Sequence, residues 1–421
     1  MSSRARSPVA LTFFACLAEA LSMTGFAAYT TLLPQLQREW SLSNSQAGLI
    51  GGIFYAGYML GVPVLTSLTD RIDSRRIYAF SCAISTLGAA CFAFFAEGLW
   101  TALVFQFLIG AGLGGTYMPG LKTLTDHLEG HAQSRGTAFY TASFGIGSSI
   151  SIVVCGKLAA AYGWQSAFVF GTIGPVLAAL LVMLVMPPGR TAGSAVRAPL
   201  LDFRPVLRNR TTTAYIVGYA THNYELFGQR AWMVAFLVYC ASLQPANAPM
   251  IASAATLAAC INLLGPVMSI SGNELAIRFG RQRIIFTFMT ASGLLACVLG
   301  YAAGLPWYVV FLIMCVHYGL MLGDSAALTS GCIASTPPEV RGATMAIYSF
   351  VGFTAAFLAP LVFGVVLDLG GGNRNTAAWG LAFGSIGIFG ALSLIARRLY
   401  LARDAAGSRP LDTPARADEP R

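Results

Sequence analysis

Long apolar segments recur along the whole chain, and they constrain its fold more than any other feature of the sequence. A helix needs about 20 consecutive apolar residues to cross a bilayer, and twelve segments of roughly that length are present. They lie at residues 9–33, 46–65, 77–96, 99–120, 137–160, 164–186, 213–240, 249–270, 284–304, 307–332, 344–367 and 378–399. Because a backbone in lipid must satisfy its own hydrogen bonds, we predict an all-α integral membrane protein with twelve transmembrane helices.

The composition agrees with a membrane protein and excludes several functional classes. Hydrophobic residues make up 56% of the chain and charged residues only 10%, whereas a soluble protein carries about 25% charged residues. The net charge of +9 comes from basic residues in short loops, so we interpret it as an orientation signal and predict no nucleic acid partner. The nine cysteines lie in apolar segments without a C-x-x-C pair. We interpret them as small buried hydrophobic residues, and we predict no disulfide, metal or cofactor.

The distribution of lysine and arginine predicts the orientation in the membrane. With a cytoplasmic N-terminus, 22 of the 26 basic residues fall in inner segments, whereas Arg38, Lys157 and Arg374 fall in outer ones and Arg230 lies within a span. Positively charged loops stay on the cytoplasmic side. We therefore expect both termini in the cytoplasm and a multi-pass protein of the cytoplasmic (inner) membrane.

The two halves of the chain repeat each other at a nearly constant offset. Trp100 and Trp307 open equivalent spans 207 residues apart, and Gly112 and Gly319 keep the same offset. An Arg-Gly pair before the fifth span of each half recurs after 206 residues. A six-span unit repeated in parallel orientation is one of the plans of secondary transporters.

The repeat and a polar segment in the middle of the chain define the predicted domains. The longest interior polar stretch separates six spans from six others, and the end of the chain is rich in Pro, Asp and Arg, which is typical of disorder. We predict an N-terminal six-helix bundle at residues 1–186, a cytoplasmic inter-bundle loop at 187–211, a C-terminal six-helix bundle at 212–402 and a disordered cytoplasmic tail at 403–421.

A charged motif follows the second span of each half. Residues 66–76 read TSLTDRIDSRR, and residues 272–283 read GNELAIRFGRQR. The first copy matches the pattern G-x-x-x-D-R-x-G-R-R in its Asp-Arg pair and trailing arginines, although Thr66 and Asp73 replace the glycines. The second copy keeps the glycine and the arginines but has Ile277 at the aspartate position.

On these motifs the sequence resembles the major facilitator superfamily, over nearly the whole chain. Residues 338–342, PEVRG, are also similar to the loop before span 11 in many members. The resemblance implies a fold of two pseudo-symmetric six-helix bundles, in which Asp70 and Arg71 belong to a charge network that holds the outward-facing state. The predicted gating loop comprises Asp70, Arg71, Arg75, Arg76, Arg278, Arg281 and Arg283.

Two departures from the family's patterns bear on mechanism. Many proton-coupled members carry an arginine in span 4 ahead of a glycine pair, whereas here Gln106 precedes Gly110 and Gly112. Drug–proton antiporters usually carry a proline in the glycine pattern of span 5, and here that span has Gly145 and Gly147 without the proline. Both absences argue against a typical drug antiporter.

Polar residues inside the spans are the main candidates for function, because each charged side chain costs about 2.5–3.5 kcal/mol at mid-membrane. Glu19 in span 1 and Glu225 in span 7 lie 206 residues apart, at the same station of the repeat. The resemblance implies that spans 1, 4, 7 and 10 line a central cavity, so their polar residues would point into one water-filled pocket. The predicted substrate and proton pathway comprises Glu19, Gln106, Tyr117, His222, Glu225, Gln229, Arg230, His317 and Asp324.

The sequence leaves open how these groups pair. Glu225 and Arg230 are five residues apart, about 140° around a helix, and therefore do not face each other. We expect Arg230 to pair with a carboxylate of another helix, such as Glu19 or Asp324. Other readings are that Glu225 and Arg230 form structural bridges, that Asp324 caps a helix break, and that His317 is a hydrogen-bonded packing residue.

These residues indicate a secondary active transporter, expected to be a monomer, that moves a small organic solute by alternating access. An anion is among the candidate substrates, because Arg230 would attract a carboxylate. Glu225 or Glu19 would carry a coupled proton, since burial favours the neutral carboxyl, with His222 assisting. The alternative is an efflux pump for cationic or amphipathic compounds, whose cation the two glutamates would bind. A receptor or scaffold has less support, and no enzyme is predicted because no nucleophile–base or metal constellation is visible.

Overall fold

Helices account for the regular structure of the chain. The computed structural model describes residues 7–69, 71–188, 204–247, 249–337 and 340–388, and in these ranges every regular element is helical. The helices are α1 (Pro8–Ser22), α2 (Ala28–Glu39), α3 (Asn44–Leu68), α4 (Ser74–Phe95), α5 (Leu99–Leu113), α6 (Tyr117–Thr125), α7 (Gly130–Tyr162), α8 (Trp164–Val185), α9 (Arg204–Arg208), α10 (Arg210–Ser242), α11 (Ala254–Phe279), α12 (Arg281–Leu299), α13 (Trp307–Gly323), α14 (Ser325–Ala334), α15 (Arg341–Leu369) and the described part of α16 (Thr376–Ile388). The all-helical prediction is confirmed for these residues.

Nine helical segments within the described ranges are long and apolar enough to cross a membrane. The three other predicted spans correspond to α1 followed by α2, to α10, and to α16. α10 is long enough, with 33 residues, but His222, Glu225, Gln229 and Arg230 lower its mean hydropathy. The polar residues that mark this helix as a functional candidate are therefore also the ones that weaken its signal as a membrane span.

Three predicted spans are interrupted close to their polar residues. α1 and α2 are separated by residues 23–27, α5 and α6 by residues 114–116, and α13 and α14 by Asp324. α10, in contrast, runs without a break through Gly228. A break in a membrane helix is tolerated where neighbouring protein groups bind the freed backbone atoms. Ser151 of α7 does this for the first break, because its hydroxyl donates to the Thr24 carbonyl and accepts from the Ala27 N–H.

α3 and α15 pack closely and join the first part of the chain (residues 7–188) to the second (residues 204–388). A Cβ atom at Gly48 would overlap the carbonyl of Pro360, and one at Gly52 would overlap the carbonyl of Phe357. Small residues allow membrane helices to approach this closely. We call this contact the α3–α15 seam, and the end of the bundle where α15 finishes is the Asp368 end.

The carboxylate of Asp368 caps the N-terminus of α3 across this seam. Its Oδ1 accepts hydrogen bonds from the backbone N–H of Asn44 at 3.0 Å and from the Asn44 side-chain amide at 2.7 Å. Its Oδ2 accepts from the backbone N–H of Ser45 at 2.8 Å and from the Ser45 hydroxyl at 2.6 Å. The first N–H groups of a helix are unpaired and carry partial positive charge, so a carboxylate is stabilised there.

α7 and α11 form a second contact between the two parts of the chain, which we call the α7–α11 seam. The side chain of Pro266 lies beside Gly145, and the side chain of Ala255 lies beside Gly156. At both glycines a Cβ atom would collide with the facing residue. Glycine on α7 therefore receives a side chain of α11, whereas in the α3–α15 seam the glycines of α3 face the backbone of α15.

The opposite end of the bundle carries the basic loops. Asp73, which stands where the family's pattern has glycine, caps α4 by accepting the Arg75 N–H at 3.0 Å. The same carboxylate pairs with the Arg75 guanidinium at 2.7 Å, and Arg75 also donates to the carbonyl of Met186 at 2.9 Å. Among the other predicted gating residues, Arg281 is partly buried. The exposed ones are Arg71, Arg76, Arg278 and Arg283.

Several predicted features lie outside the described residues. Asp70 is one of them, so its gating role stays a prediction. Pro338, Glu339 and the side chain of Arg341 are others, together with most of the predicted inter-bundle loop and all of the predicted tail.

The cysteines are all free thiols, but they are not uniformly buried. The buried ones are Cys82, Cys155, Cys240 and Cys332. Cys260 of α11 and Cys297 of α12 are exposed on the protein surface. The prediction of buried cysteines is therefore wrong for these two, because a membrane helix can direct an apolar thiol to lipid as well as to the protein interior.

Replacing Asp368 with asparagine should open the Asp368 end. The amide removes the charge and directs an NH₂ group towards the donors of Asn44 or Ser45, whereas each hydrogen bond to a charged group is worth about 1.5–3 kcal/mol. We expect spin labels at Arg38→Cys and Arg374→Cys, measured by pulsed electron paramagnetic resonance, to gain a population at longer distance in Asp368→Asn.

The control for this measurement is Ser45→Ala, which removes one of the four hydrogen bonds and should have a smaller effect. The exposed Cys260 and Cys297 are first replaced by serine, which leaves the introduced cysteines as the exposed thiols of the protein. An identical distance distribution in Asp368→Asn and in the parent protein would contradict the role of the cap.

Candidate functional site

The polar residues of the predicted spans 1, 4, 7 and 10 lie on α1, α5, α6, α10, α13 and the break after α13. Most of them are inaccessible, with Glu19, Gln229 and His317 at 0% exposure. Arg230 and Tyr117 are partly exposed. The structure thus distributes most of these side chains among separate buried groups within the protein.

Glu225 of α10 is held by two neighbouring helices. Its Oε1 lies 3.0 Å from Nε2 of His317 on α13, and its Oε2 accepts a hydrogen bond from the hydroxyl of Ser292 on α12 at 3.0 Å. All three residues are buried. A buried carboxylate requires such partners because it has lost its water. His317 is therefore more than a packing residue, since it faces the carboxylate directly.

A second carboxylate–imidazole pair lies close by. Nδ1 of His222 on α10 and Oδ1 of Asp324 are 2.7 Å apart, and both residues are buried. The two atoms are at contact distance without the angles of a hydrogen bond. Asp324 sits at the break between α13 and α14, but its side chain makes no capping hydrogen bond to α14. The alternative that this side chain caps the break is therefore wrong, because the carboxylate faces His222.

Glu19 forms a third group in the first part of the chain. Its Oε2 accepts a hydrogen bond from the hydroxyl of Tyr140 on α7 at 2.9 Å. Its Oε1 is buried and has no hydrogen-bond partner among the described residues. Glu225, at the equivalent station of the repeat, is paired with an imidazole instead. The sequence repeat therefore does not extend to the chemistry around the two glutamates.

Arg230 is bound by a tyrosine. Its Nε and Nη2 donate to the hydroxyl oxygen of Tyr318 on α13, at 3.0 and 2.8 Å. In the described part of the chain, no carboxylate oxygen lies within 4.0 Å of its nitrogens. The predicted pairing of Arg230 with Glu19 or Asp324 is wrong, because each of those carboxylates is directed at a partner of its own.

Two aromatic rings lie close to this guanidinium. Its central carbon lies 5.7 Å from the ring centre of Phe227 and 5.9 Å from that of Tyr318. The Phe227 ring is in turn 4.4 Å from the ring of Tyr55 on α3 and 5.9 Å from that of Phe353 on α15. A permanent cation beside aromatic faces can bind a carboxylate that is attached to a flat ring.

The remaining candidates lie in the interior without an ionic partner in the described ranges. Gln106 on α5 is 4% exposed, and the hydroxyl of Tyr117 donates to Thr141 at 3.2 Å. The side-chain amide of Gln229 makes no hydrogen bond to any described residue. These two buried amides and the tyrosine are thus not part of the carboxylate–imidazole pairs.

The residues that complete these groups were not among the candidates predicted from the sequence. Tyr318 also donates to Oδ1 of Asn262 on α11 at 2.7 Å, and neither residue was a candidate, nor were Ser292 and Tyr140. Serine and tyrosine are common in apolar spans and carry no distinguishing signal. Asn262 did carry one, because a lone amide within an apolar span is costly unless it is hydrogen-bonded.

No metal site is formed in the described ranges, where no three His, Cys, Asp or Glu side chains are placed to hold an ion. A surface depression of about 540 Å³ lies at the Asp368 end, lined by the end of α10 and by residues 249–254. Its lining contains no titratable side chain. The polar groups on α10 and α13 therefore remain the candidate site.

Comparison with known proteins identifies one family, relatives that are similar in sequence, and solved structures that are similar in fold. The family described as Major Facilitator Superfamily matches residues 15–360. The niacin transporter NiaP of Acinetobacter baylyi is 26% identical over 162 residues, which are 38% of this chain and 36% of that protein. The benzoate transport protein of the same organism is 28% identical over 167 residues, covering 38% and 35%. The chain thus spans little more than a third of the length of these relatives.

A solved structure extends the comparison to nearly the whole chain. It is a bacterial homologue of the human lysosomal transporter Spinster in an inward-facing, unoccupied conformation, with a TM-score of 0.74. The match covers 96% of this chain and 99% of that one at 14% sequence identity. At this identity the likeness establishes the fold alone.

Removing either His222 or Asp324 should leave the other side chain buried without its partner and should therefore destabilise the folded protein. Breaking a buried ion pair costs about 3–5 kcal/mol, whereas removing both partners leaves no unpaired group. We expect the thermal unfolding midpoint in detergent to fall strongly in His222→Ala and in Asp324→Ala, and to fall in the double variant by less than the sum. Additive losses would show that the two side chains do not interact.

Proposed function

The chain belongs to the major facilitator superfamily, and on that premise we propose that it transports a small aromatic carboxylate by alternating access, coupled to protons. The observation that carries this proposal is the position of Arg230. It is a permanent cation inside a membrane helix, it faces no carboxylate among the described residues, and it lies close to the ring of Phe227 and to the hydroxyl of Tyr318.

The proposed topology has two six-span bundles, at residues 1–186 and 212–402, with both termini in the cytoplasm. The strong bias of lysine and arginine towards one side supports it. The Asp368 end then faces the outside of the cytoplasmic (inner) membrane, and the basic loops face the cytoplasm. In this orientation the α3–α15 and α7–α11 seams close the outer side, as an inward-facing transporter requires.

The substrate class follows from the charge and shape of the site. Nη1 of Arg230 makes no hydrogen bond to a described residue, so this edge of the guanidinium is available to a carboxylate. The nearby rings of Tyr55, Phe227 and Phe353 provide apolar faces for a flat substrate. Niacin and benzoate each consist of one aromatic ring with one carboxylate, so the similarity to their transporters supports the same class here.

The two carboxylate–imidazole pairs are the proposed proton sites. A pair that holds one proton is neutral overall, whereas losing or gaining a proton leaves a buried net charge, which is costly. Glu225 with His317, and His222 with Asp324, can therefore change their proton count only when water reaches them. Alternating access provides that water from one side at a time, which couples protonation to the conformational cycle.

The efflux of cationic compounds is the second candidate. The observation that favours it is Oε1 of Glu19, which is buried without a hydrogen-bond partner in the described ranges. Arg230 argues against it, because a fixed cation in the second part of the chain repels a cationic substrate. Thermal stabilisation by benzoate or nicotinate would favour the first candidate, and stabilisation by tetraphenylphosphonium would favour the second.

Substituting Arg230 should abolish carboxylate binding. In the purified wild-type protein, benzoate or nicotinate at about 100 times its Kd should stabilise the folded state by about 2.7 kcal/mol and raise the melting temperature. Arg230→Ala should weaken binding by roughly 10- to 100-fold, because it removes a charged hydrogen-bonding partner. Arg230→Lys should restore only part of the affinity, since a lysine cannot form a bidentate contact.

The matched control is Lys157→Ala, which removes an exposed cation of α7. It should retain the full melting-temperature shift. A ligand-induced shift that survives in Arg230→Ala would exclude Arg230 as the carboxylate site.

Glu225→Gln should separate concentrative transport from exchange. The amide keeps the shape of the side chain but cannot release a proton, so the pair with His317 can no longer cycle. In liposomes with an imposed pH gradient, we expect this variant to lose accumulation of labelled benzoate by at least about tenfold. Exchange of labelled for unlabelled benzoate should persist, because it requires no net proton movement.

Glu19→Gln tests the equivalent group of the first part, and the exposed Glu97 provides the control variant Glu97→Gln. Wild-type accumulation in both Glu225→Gln and Glu19→Gln would show that the two glutamates are structural. Loss of accumulation in Glu97→Gln as well would show that the assay reports general damage to the protein.

A further inference from the structure

A chain of buried hydrogen bonds connects Arg230 with the α7–α11 seam. Arg230 donates to the Tyr318 oxygen, and the Tyr318 hydroxyl donates to Oδ1 of Asn262 at 2.7 Å. Nδ2 of Asn262 then donates to the hydroxyl oxygens of Ser148 and Ser149 on α7, at 2.8 Å each. Tyr318, Asn262 and both serines are at most 4% exposed. The charged group of the second part is thereby connected to a helix of the first part.

The chemistry of these groups allows one assignment of the protons. A guanidinium only donates, so the Tyr318 oxygen accepts from it and directs its single proton to Asn262. This determines which end of the amide is oxygen, and Nδ2 therefore faces the two serines. The hydroxyls of Ser148 and Ser149 donate to the carbonyl of Gly145, at 3.0 and 2.9 Å, so they act as acceptors towards the amide. The chain of hydrogen bonds runs in one direction, from the guanidinium to the backbone of α7.

We infer that Tyr318 and Asn262 are positioning residues that couple occupation of Arg230 by a carboxylate to closure of the α7–α11 seam. The inference rests on the proposed function, since it requires a carboxylate substrate. Tyr318 occupies the Nε edge of the guanidinium and leaves the Nη1 edge to the substrate. Through Asn262, the orientation of that free edge depends on α7.

Opening of the seam breaks this arrangement at one place. Asn262, Tyr318 and Arg230 belong to the second part of the chain and stay together, whereas Ser148 and Ser149 move away with α7. The amide then loses two buried acceptors and is no longer held in one orientation. The guanidinium is consequently best oriented for substrate when the seam is closed, so the substrate binds more tightly in that state.

The coupling acts equally in both directions. If a closed seam strengthens substrate binding by a given factor, bound substrate favours the closed seam by the same factor. For two sites connected by a few hydrogen bonds we expect a factor of roughly 5 to 30. The chain of hydrogen bonds thus gives the substrate site a direct influence on the gate at the Asp368 end.

The test is the double variant Ser148→Ala/Ser149→Ala, which removes the two hydroxyl acceptors on α7 and leaves the residues around Arg230 unchanged. The matched control is Ser151→Ala. Ser151 is also buried on α7, but its hydroxyl donates to the Thr24 carbonyl at 2.7 Å, within the first part of the chain. The two single variants replace the double one if it does not fold.

The state of the seam is measured by the distance between spin labels at Lys157→Cys on α7 and Ile251→Cys before α11, both exposed positions. The background lacks the exposed Cys260 and Cys297. Benzoate is the probe, and its Kd is measured by calorimetry on the same samples. In the parent protein, saturating benzoate should raise the short-distance population, and in the control Ser151→Ala it should do so equally.

The double serine variant should populate the long distance more without ligand and should bind benzoate more weakly, by roughly 5- to 30-fold. Tyr318→Phe keeps the ring but removes all three hydrogen bonds of the hydroxyl. In this variant benzoate should still bind, with lower affinity, but should no longer shift the distance distribution. That loss of response distinguishes a positioning residue from one that only contributes to stability.

Two negative results have different meanings. If the parent protein binds neither benzoate nor nicotinate, the proposed substrate class is wrong, and the inference is overturned with it before any variant is needed. If the parent protein binds benzoate but Tyr318→Phe shows the same benzoate-induced distance shift, the proposed function stands and the coupling inference is overturned.

Discussion

A charged side chain inside a bilayer is stable only when protein groups replace the water that it has lost. This requirement determines how α10 is placed among its neighbours. Glu225 requires Ser292 of α12 and His317 of α13, while Arg230 requires Tyr318 of α13. The partners come from different helices, so the rotation and height of α10 are set by polar contacts, although apolar residues make up most of its length.

Close apolar packing has a different role, because it provides contacts that can open and close as a unit. At Gly48 and Gly52 of α3 the backbone of α15 lies where a side chain would otherwise stand. Such contacts are strong only when the surfaces fit, and they are lost together when the helices separate. Asp368 adds a charge-assisted cap to the same surface. We therefore expect a seam of this kind to be either closed or open, with few intermediate positions of the two helices.

The two parts of the chain share a repeat but divide the chemistry unequally. Glu19 and Glu225 occupy equivalent stations, yet the first has a tyrosine partner and the second an imidazole. α1 ends soon after its glutamate, whereas α10 continues without a break. The second part holds the fixed cation and both carboxylate–imidazole pairs. The first part contributes the ring of Tyr55 and the serines of the α7–α11 seam.

Much of the fold was determined by the sequence alone. Apolar segments and the repeat predicted an all-helical membrane protein of the transporter type. The charged motifs carried the resemblance to the major facilitator superfamily, and the family is confirmed by the match over residues 15–360. Glu225, His317, His222 and Asp324 were recognised as candidates because charge in an apolar segment is conspicuous without any structure. The partners were decided only by the tertiary structure. Arg230 was expected to face a carboxylate, and it faces Tyr318, which is bound to Asn262. Helical spacing predicts which residues share a face of one helix, but the group opposite that face depends on how separate helices are rotated and packed against each other.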